Sequence, residues 1–239
     1  MYTQLMEQLE GQASQTSHAA LSDEYWHMGI LTADVRRIAA HAAKAFRMLP
    51  QREQDQVVLQ LLGHGSDEAA HLGACLCGKT VQDWSMLNAR HLTSMVRSFK
   101  GWSVTDLFCI EVLQPLLRRF PEALLELLSA WAHEPNQWMR RASVVVFVRK
   151  IGSSGEYTEA GLRACEQLIC DPEDLVRKGV GWALKDLMQG DRAQVLDYVR
   201  SLRRRGVSSV ITRYALQRVK GPERQGVLAI KPDRTSADR

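Results

Sequence analysis

The sequence predicts an all-α protein, an α-solenoid built from stacked antiparallel helix pairs. Apolar residues recur with a helical period along nearly the whole chain of 239 residues, and no segment alternates as a half-buried strand would. Prolines fall at the breaks in this pattern, as their missing N–H requires. Three tryptophans recur at a spacing typical of helical repeats. These observations argue against a central β-sheet.

The helical pattern divides the chain into twelve predicted helices. Pro50, Pro121, Pro135 and Pro172 lie between these helices or in their first turns. The predicted ranges are 3–18, 33–48, 51–63, 67–77, 86–98, 103–118, 122–132, 137–151, 157–169, 173–188, 191–204 and 208–218. We expect a single domain over residues 1–220. Residues 221–239 are polar and lack the period, so we expect a loosely ordered tail there.

The tryptophan spacing suggests repeats of the HEAT type. Trp102, Trp138 and Trp182 each lie in or near the first half of a predicted helix, about 40 residues apart. In such repeats each helix pair stacks on its neighbour, and equivalent positions line up on one face, which tends to be concave. Side chains at these positions are therefore expected to share a groove.

Composition places the chain among globular proteins. Hydrophobic residues make up 45% and charged residues 24% of the sequence. No apolar run approaches the roughly 20 residues needed to cross a bilayer. The polar, acidic N-terminal segment does not resemble a signal peptide. We therefore expect a cytoplasmic protein that does not bind a membrane.

The five cysteines are expected to be core residues in a reducing compartment. Cys75 and Cys77, with His71 upstream, are an alternative set of metal ligands. Positions two apart on a helix point to different faces, however, and no second pair follows at zinc-site spacing. We predict no metal and no cofactor.

Positive charge is concentrated in the later part of the chain. The net charge is −1 over residues 1–100 and +5 over the remainder. A basic region suits a polyanionic partner such as nucleic acid, but a solvated helical surface looks the same. Charge alone does not decide between them.

Three segments combine indoles with ionisable groups or glycines. Trp102 and Asp106 are four residues apart and so share a helix face. Arg141 follows Trp138 by three residues. The segment Arg177–Leu184 contains two glycines, each costing a helix roughly 1 kcal/mol, which points to close helix approach or a nearby ligand.

The spacing of these segments favours one shared site. One carboxylate (Asp106), one arginine (Arg141) and two indoles (Trp102 and Trp182) recur about 40 residues apart, and so would meet on consecutive repeats. The alternative is that each tryptophan fills the core and Asp106 pairs locally. That alternative is favoured for any one residue, but the joint spacing favours the site.

The three segments resemble motifs of the HEAT-like-repeat DNA glycosylases of bacterial alkylation repair, the AlkC/AlkD type. The W-x-x-x-D motif matches Trp102 with Asp106. The W-x-x-R-[TA] motif matches Trp138 with Arg141-Ala142. The R-K-x-[IV]-G-W-[AV]-L motif, the most specific of the three, matches Arg177–Leu184. Weaker similarity continues at Gly29-Ile30, Asp34–Arg37 and Thr212–Leu216.

The resemblance covers about residues 25–220 and has two departures. The tyrosine that some relatives place before the Gly-Ile turn aligns near Ala20, and Tyr25 is only a nearby substitute. The Trp-Asp pair that usually follows the first tryptophan is replaced by Ser103 and Val104. Both departures bear on rate and lesion range.

The resemblance implies a monomeric, monofunctional glycosylase that excises N3- or N7-alkylated purines from duplex DNA. Asp106 would stabilise the sugar cation, Trp102 and Trp182 would flank the sugar, and Arg141 would hold a phosphate. Further DNA contacts are expected from Trp138, Arg140, Arg149, Arg177, Lys178 and Arg213. The alternative is a catalytically weak or inactive scaffold that binds DNA or protein through its helical repeats.

Overall fold

A computed structural model of the chain describes residues 1–13, 25–80 and 89–233. Helices dominate these residues, which contain no strand beyond an isolated parallel bridge between Trp26 and Ser66. The predicted all-α architecture is confirmed. Internal contacts divide the chain into two compact units, Met1–Leu127 and Leu128–Arg239. That residues 1–220 form a single domain stays a prediction.

The first unit is organised around helix α4 (Asp67–Thr80), whose small and apolar residues are buried on several sides. This helix packs against α2 (Thr32–Arg47), α3 (Gln51–Gly63) and α6 (Trp102–Phe108). A Cβ added at Gly78 would overlap the carbonyl of Glu111, so glycine is required where α4 meets a π-helical turn. The helices are α1 Tyr2–Glu10, α2 Thr32–Arg47, α3 Gln51–Gly63, α4 Asp67–Thr80, α5 Ala89–Arg97, α6 Trp102–Phe108, the π-turn Cys109–Leu113, α7 Gln114–Arg119 and α8 Pro121–Trp131, which crosses into the second unit.

One helix predicted in this unit ends earlier in the structure, and the predicted start of another lies outside the described residues. The helix predicted over 3–18 ends at Glu10, where Gly11 begins a turn, and residues 14–18 lie outside the described residues. The helix predicted over 86–98 is described from Ala89 onward. Glycine disfavours helix, which accounts for the earlier end of α1.

The second unit is organised around the long helix α12 (Asp174–Gly190). This helix is buried along most of its length, from Val176 to Met188, and packs against the five helices α9, α10, α11, α13 and α14, whose ranges follow. The helices are α9 Gln137–Val145, α10 Arg149–Ser153, α11 Thr158–Leu168, α12 Asp174–Gly190, α13 Arg192–Arg204, α14 Ser209–Ala215 and α15 Gly221–Ala229.

The helix predicted over 137–151 is wrong in one respect, because it breaks after Val145. Arg149 adopts a left-handed backbone conformation with φ of 55° and begins α10. Its N–H donates to the buried carboxylate of Asp186 at 2.7 Å. The apolar run through Val148 gave no sign of this break. The break depends on Asp186, which is 37 residues away from Arg149 in sequence.

The loosely ordered tail predicted from residue 221 is also corrected. Residues Gly221–Ala229 form α15, with proline in the first turn. Val227 is buried, and the Arg203 guanidinium donates to the carbonyl groups of Leu228 and Ile230. One buried residue in nine gives no helical period, so the sequence pattern missed this helix. Residues 234–239 lie outside the described residues.

Candidate DNA-binding and catalytic site

Trp102 and Asp106 lie one turn apart on α6, in the first unit. The helix follows Gly101, and Thr105 anchors its first turn by donating its hydroxyl hydrogen to the Gly101 carbonyl at 2.8 Å. Trp102 keeps 40% of its surface exposed, whereas Asp106 keeps 7%. An indole open to solvent thus stands beside a nearly buried carboxylate.

A polar network joins the first turn of α6 to α4. The Ser103 hydroxyl donates to Asp67 Oδ2 at 3.2 Å, and its oxygen lies 2.8 Å from His71 Nε2. His71 Nε2 also lies 3.3 Å from Asp67 Oδ2. Burial lowers the pKa of His71, although Asp67 and Glu68 oppose this shift. Ser103, which with Val104 makes up one of the two departures from the family pattern, therefore ties the segment that carries Trp102 to α4.

The segment before α2 is held by Glu68. This buried carboxylate accepts the N–H groups of Met28 at 2.9 Å, Gly29 at 2.9 Å and Ile30 at 3.3 Å. Tyr25 is buried, while Trp26 is half exposed. Neither Trp26 nor Glu68 was predicted from the sequence, where the available signal was an indole three residues before the Gly-Ile turn.

In the second unit, Arg141 projects from α9 toward the start of α12. Its side chain is almost buried, and one guanidinium N–H donates to the Leu175 carbonyl. A Cβ at Gly179 would lie 3.5 Å from Arg141 Nη1 and 3.3 Å from Val145 Cγ2. An added Cβ would therefore be slightly tight against Val145 and in ordinary contact with the arginine.

The second motif glycine lets two helices approach closely. A Cβ at Gly181 would lie 2.6 Å from the Tyr214 Cβ and 3.0 Å from the Ile211 carbonyl oxygen. Helices α12 and α14 thus pack nearly backbone to backbone here. Close helix approach, one of the two reasons predicted for these glycines, is confirmed.

Trp182 is fixed by a buried carboxylate that the sequence analysis missed. Its indole Nε1–H donates to Asp186 Oδ2 at 2.8 Å, one turn further along α12. The ring also lies near two cations: the Arg149 Cζ is 5.9 Å and the Lys185 Nζ is 5.7 Å from its centroid. An i, i+4 tryptophan–aspartate pair is the signal that could have identified Asp186.

Two of the residues predicted to bind DNA have mainly structural surroundings. Trp138 keeps only 9% exposure, in a helix capped by the side chain of Asn136. Arg140 donates to Asp171 at 2.6 Å and to the carbonyls of Glu134 and Pro135. These contacts engage both groups in packing and loop attachment.

The other predicted basic contacts reach solvent to different extents. Arg177 is half-buried and donates to Asp174 at 3.3 Å, and Lys178 is exposed with its Nζ 3.0 Å from the same carboxylate. Arg149 and Arg213 are exposed. All four lie in the second unit.

The cysteines that were weighed as metal ligands lie in the core. Burial raises the pKa of Cys75 and of Cys77 to about 12, which disfavours the thiolate that a metal needs. His71 is engaged with Asp67 and Ser103 instead. Among the described residues, no group of three histidine, cysteine or acidic side chains is placed to hold a metal.

Comparison with protein families decides the assignment. The family model for the DNA alkylation repair enzymes matches residues 4–219. The chain belongs to this family. The match includes all three motif segments and places the function in the repair of alkylated DNA, with DNA as the partner.

A solved structure has the same fold as this family member. It is described as a predicted DNA alkylation repair enzyme from Enterococcus faecalis. It aligns with a TM-score of 0.70 and 14% identity, covering 82% of this chain and 89% of its own. At that identity the likeness establishes the fold alone. A search of curated proteins found no significant match.

Within each unit the family residues have a defined setting. Trp102 and Asp106 occur together in the first unit, and Arg141 and Trp182 occur in the second. That all four line one groove stays a prediction.

None of the helices in the described part of the chain combines the length and the hydropathy that a membrane span requires.

Proposed function

We propose that the protein is a monofunctional DNA glycosylase that hydrolyses the N-glycosidic bond of N3- or N7-alkylated purines in duplex DNA. The observation that carries the proposal is the pair on α6. Trp102 is substantially exposed one turn before the nearly buried carboxylate of Asp106. Membership of an alkylation-repair family supports alkylated DNA as the substrate.

The chemistry requires few protein groups. An N3- or N7-alkylated purine carries positive charge, so it leaves without a general acid. Departure of the base places positive charge on the deoxyribose, and a carboxylate near C1′ stabilises that charge and orients the attacking water. The burial of Asp106 strengthens such an interaction, because electrostatic energies rise as water is excluded.

The remaining groups have binding roles in this proposal. Trp102 and Trp182 flank the sugar and exclude water, and their electron-rich faces favour neighbouring positive charge. Arg141 binds a phosphate, with its guanidinium oriented by the bond to the Leu175 carbonyl. We propose further phosphate contacts from Arg149, Lys178 and Arg213, and a cytoplasmic monomer that needs no cofactor.

Base release from methylated duplex DNA tests the proposal. The purified protein should release 7-methylguanine or 3-methyladenine and leave abasic sites that are cut only after alkali treatment. Undamaged duplex DNA should release nothing. Binding to methylated DNA without any release would instead identify a scaffold, and strand cleavage without alkali would contradict the monofunctional reaction.

A further inference from the structure

We infer that Asp186 assembles a second phosphate-binding site beside Trp182, in which Lys185, Arg149 and Arg218 take a phosphodiester of the DNA backbone. The assignment of DNA as the ligand rests on the proposed function. The site itself is built within the second unit.

Asp186 is the buried centre of the site. Only 2% of its surface is exposed. It accepts hydrogen bonds from Trp182 Nε1 at 2.8 Å, the Arg149 backbone N–H at 2.7 Å and Gln189 Nε2 at 3.3 Å. A buried carboxylate is stable only when it is well hydrogen-bonded or paired, and here the donors come from two helices. Asp186 therefore fixes Trp182 and Arg149 relative to each other.

Two cations lie beside this carboxylate, and a third lies over the adjacent Trp182 ring. Asp186 Oδ1 lies 3.4 Å from Arg218 Nη1 and 3.8 Å from Lys185 Nζ. The Arg149 guanidinium lies over the Trp182 ring. One negative charge cannot balance three positive ones, so the cluster has a surplus of positive charge. That surplus attracts an anion.

Lys185 lies within this group of cations. Its Nζ lies between two rings, 5.7 Å from the Trp182 centroid and 5.2 Å from the Tyr214 centroid. Burial lowers the pKa of Lys185, and Arg218 and Arg149 lower it further, while Asp186 opposes the shift. A bound phosphate would add a second negative charge beside this ammonium group, next to that of Asp186.

The cations of the site differ in their exposure to solvent. The Lys185 side chain is 12% exposed, whereas that of Arg218 is 57% exposed. Lys185 thus lies at the floor and Arg218 at the solvent side. A phosphodiester suits this arrangement because it carries a full charge and several acceptor oxygens.

The backbone conformation of Arg149 supports a functional role for this site. Its φ of 55° makes it the one non-glycine residue with positive φ in residues 1–13, 25–80 and 89–233. Such a conformation is energetically unfavourable for a residue with a side chain and persists where surrounding contacts enforce it, often at functional sites. Here the enforcing contact is the hydrogen bond to Asp186.

The salt dependence of binding to undamaged duplex DNA tests the cations. Lys185→Met and Arg218→Gln should each reduce the slope of log affinity against log salt, by up to about 0.9, the value for the one phosphate bound at this site. Lys185→Arg keeps the charge and should keep the slope. Arg163→Gln removes an equal charge from an exposed pair on α11 and serves as the matched control. Unchanged slopes in Lys185→Met and Arg218→Gln would overturn the site.

Asp186→Asn tests the assembling role. Without the carboxylate, Arg149 and Lys185 lose their common partner, so the slope should fall although the net charge has become more positive. The indole N–H resonance of Trp182, assigned from its absence in Trp182→Phe, should also move. A purely structural residue would lower the melting temperature and leave the slope of the folded variant unchanged, which would contradict the inference.

The two proposals fail separately. Binding to undamaged DNA involves no bond cleavage, so reduced slopes without base release by the wild-type protein would leave the phosphate site standing and refute the glycosylase. Base release by the wild-type protein, with unaffected slopes in the variants, would support the glycosylase and refute the phosphate site.

Discussion

Replacing Gly181 by alanine tests how closely α12 and α14 approach each other. The new Cβ would lie 2.6 Å from the Tyr214 Cβ, 3.0 Å from the Ile211 carbonyl oxygen and 3.1 Å from the Tyr214 Cγ. Ordinary carbon contacts are about 3.5–4.0 Å, so α14 must shift by roughly 1 Å. One of the three atoms is backbone, which cannot rotate away.

The expected cost follows from this geometry. Overpacking a filled core costs about 1–3 kcal/mol, and the rigid backbone contact places Gly181→Ala near the upper end. Alanine regains about 1 kcal/mol of helix propensity. The net loss should be about 2 kcal/mol, which lowers the melting temperature by roughly 4–8 °C in a chain of this size.

Gly226→Ala is the matched control. This glycine lies within α15, and nothing stands within 4 Å of an added Cβ. The variant should therefore gain about 0.5–1 kcal/mol. Urea unfolding followed by circular dichroism measures both variants. If Gly181→Ala proved as stable as Gly226→Ala, the close approach of α12 and α14 would be refuted.

Three further variants test the site and its support. Glu68→Gln should lower the free energy of unfolding by about 1–3 kcal/mol, because the amide has one oxygen and its N–H₂ group cannot accept the N–H of Met28 or that of Gly29, whichever it faces. Chemical unfolding measures this loss, and the control Glu126→Gln, at an exposed position, should change little. Trp102→Ala should slow base release about tenfold, on the order of 1.4 kcal/mol, with little loss of stability. The buried Trp131→Ala should instead cost about 3–5 kcal/mol, and the reverse pattern would make Trp102 a core residue. Arg141→Ala should weaken DNA binding and flatten its salt slope by about 1, and an unchanged slope in titrations would remove its phosphate contact.

The sequence predicted what short-range patterns encode. Helical periodicity and prolines placed most helices, since both act within a few residues. The glycines of Arg177–Leu184 indicated close packing, which Gly181 shows against Tyr214. The family motifs were likewise readable, because each lies within a single short segment.

Long-range contacts account for what was missed. The break before Arg149 depends on Asp186, and α15 is attached through Arg203. The ion pair between Arg140 and Asp171 also joins residues 31 apart in sequence, and the DNA contact of Arg140 stays a prediction. Charge alone does not distinguish an arginine that pairs within the fold from one that faces a ligand.

The carboxylate of Asp106 is the centre of the proposed reaction. Asp106→Asn keeps the size of the side chain and removes its charge. If that charge stabilises the sugar cation, release should fall on the order of a hundredfold, equivalent to about 3 kcal/mol of transition-state stabilisation. Affinity for DNA should hold or rise slightly, because a repulsion from phosphate has been removed. Asp197→Asn, on the exposed face of α13, is the control.

Single-turnover release of 7-methylguanine by the wild-type protein and by Asp106→Asn, beside a binding titration at fixed salt, measures what this carboxylate contributes to the reaction. Release should drop sharply in the variant, with binding to DNA retained. Unchanged release by a folded Asp106→Asn would contradict this role, and loss of both folding and binding would make Asp106 a structural residue.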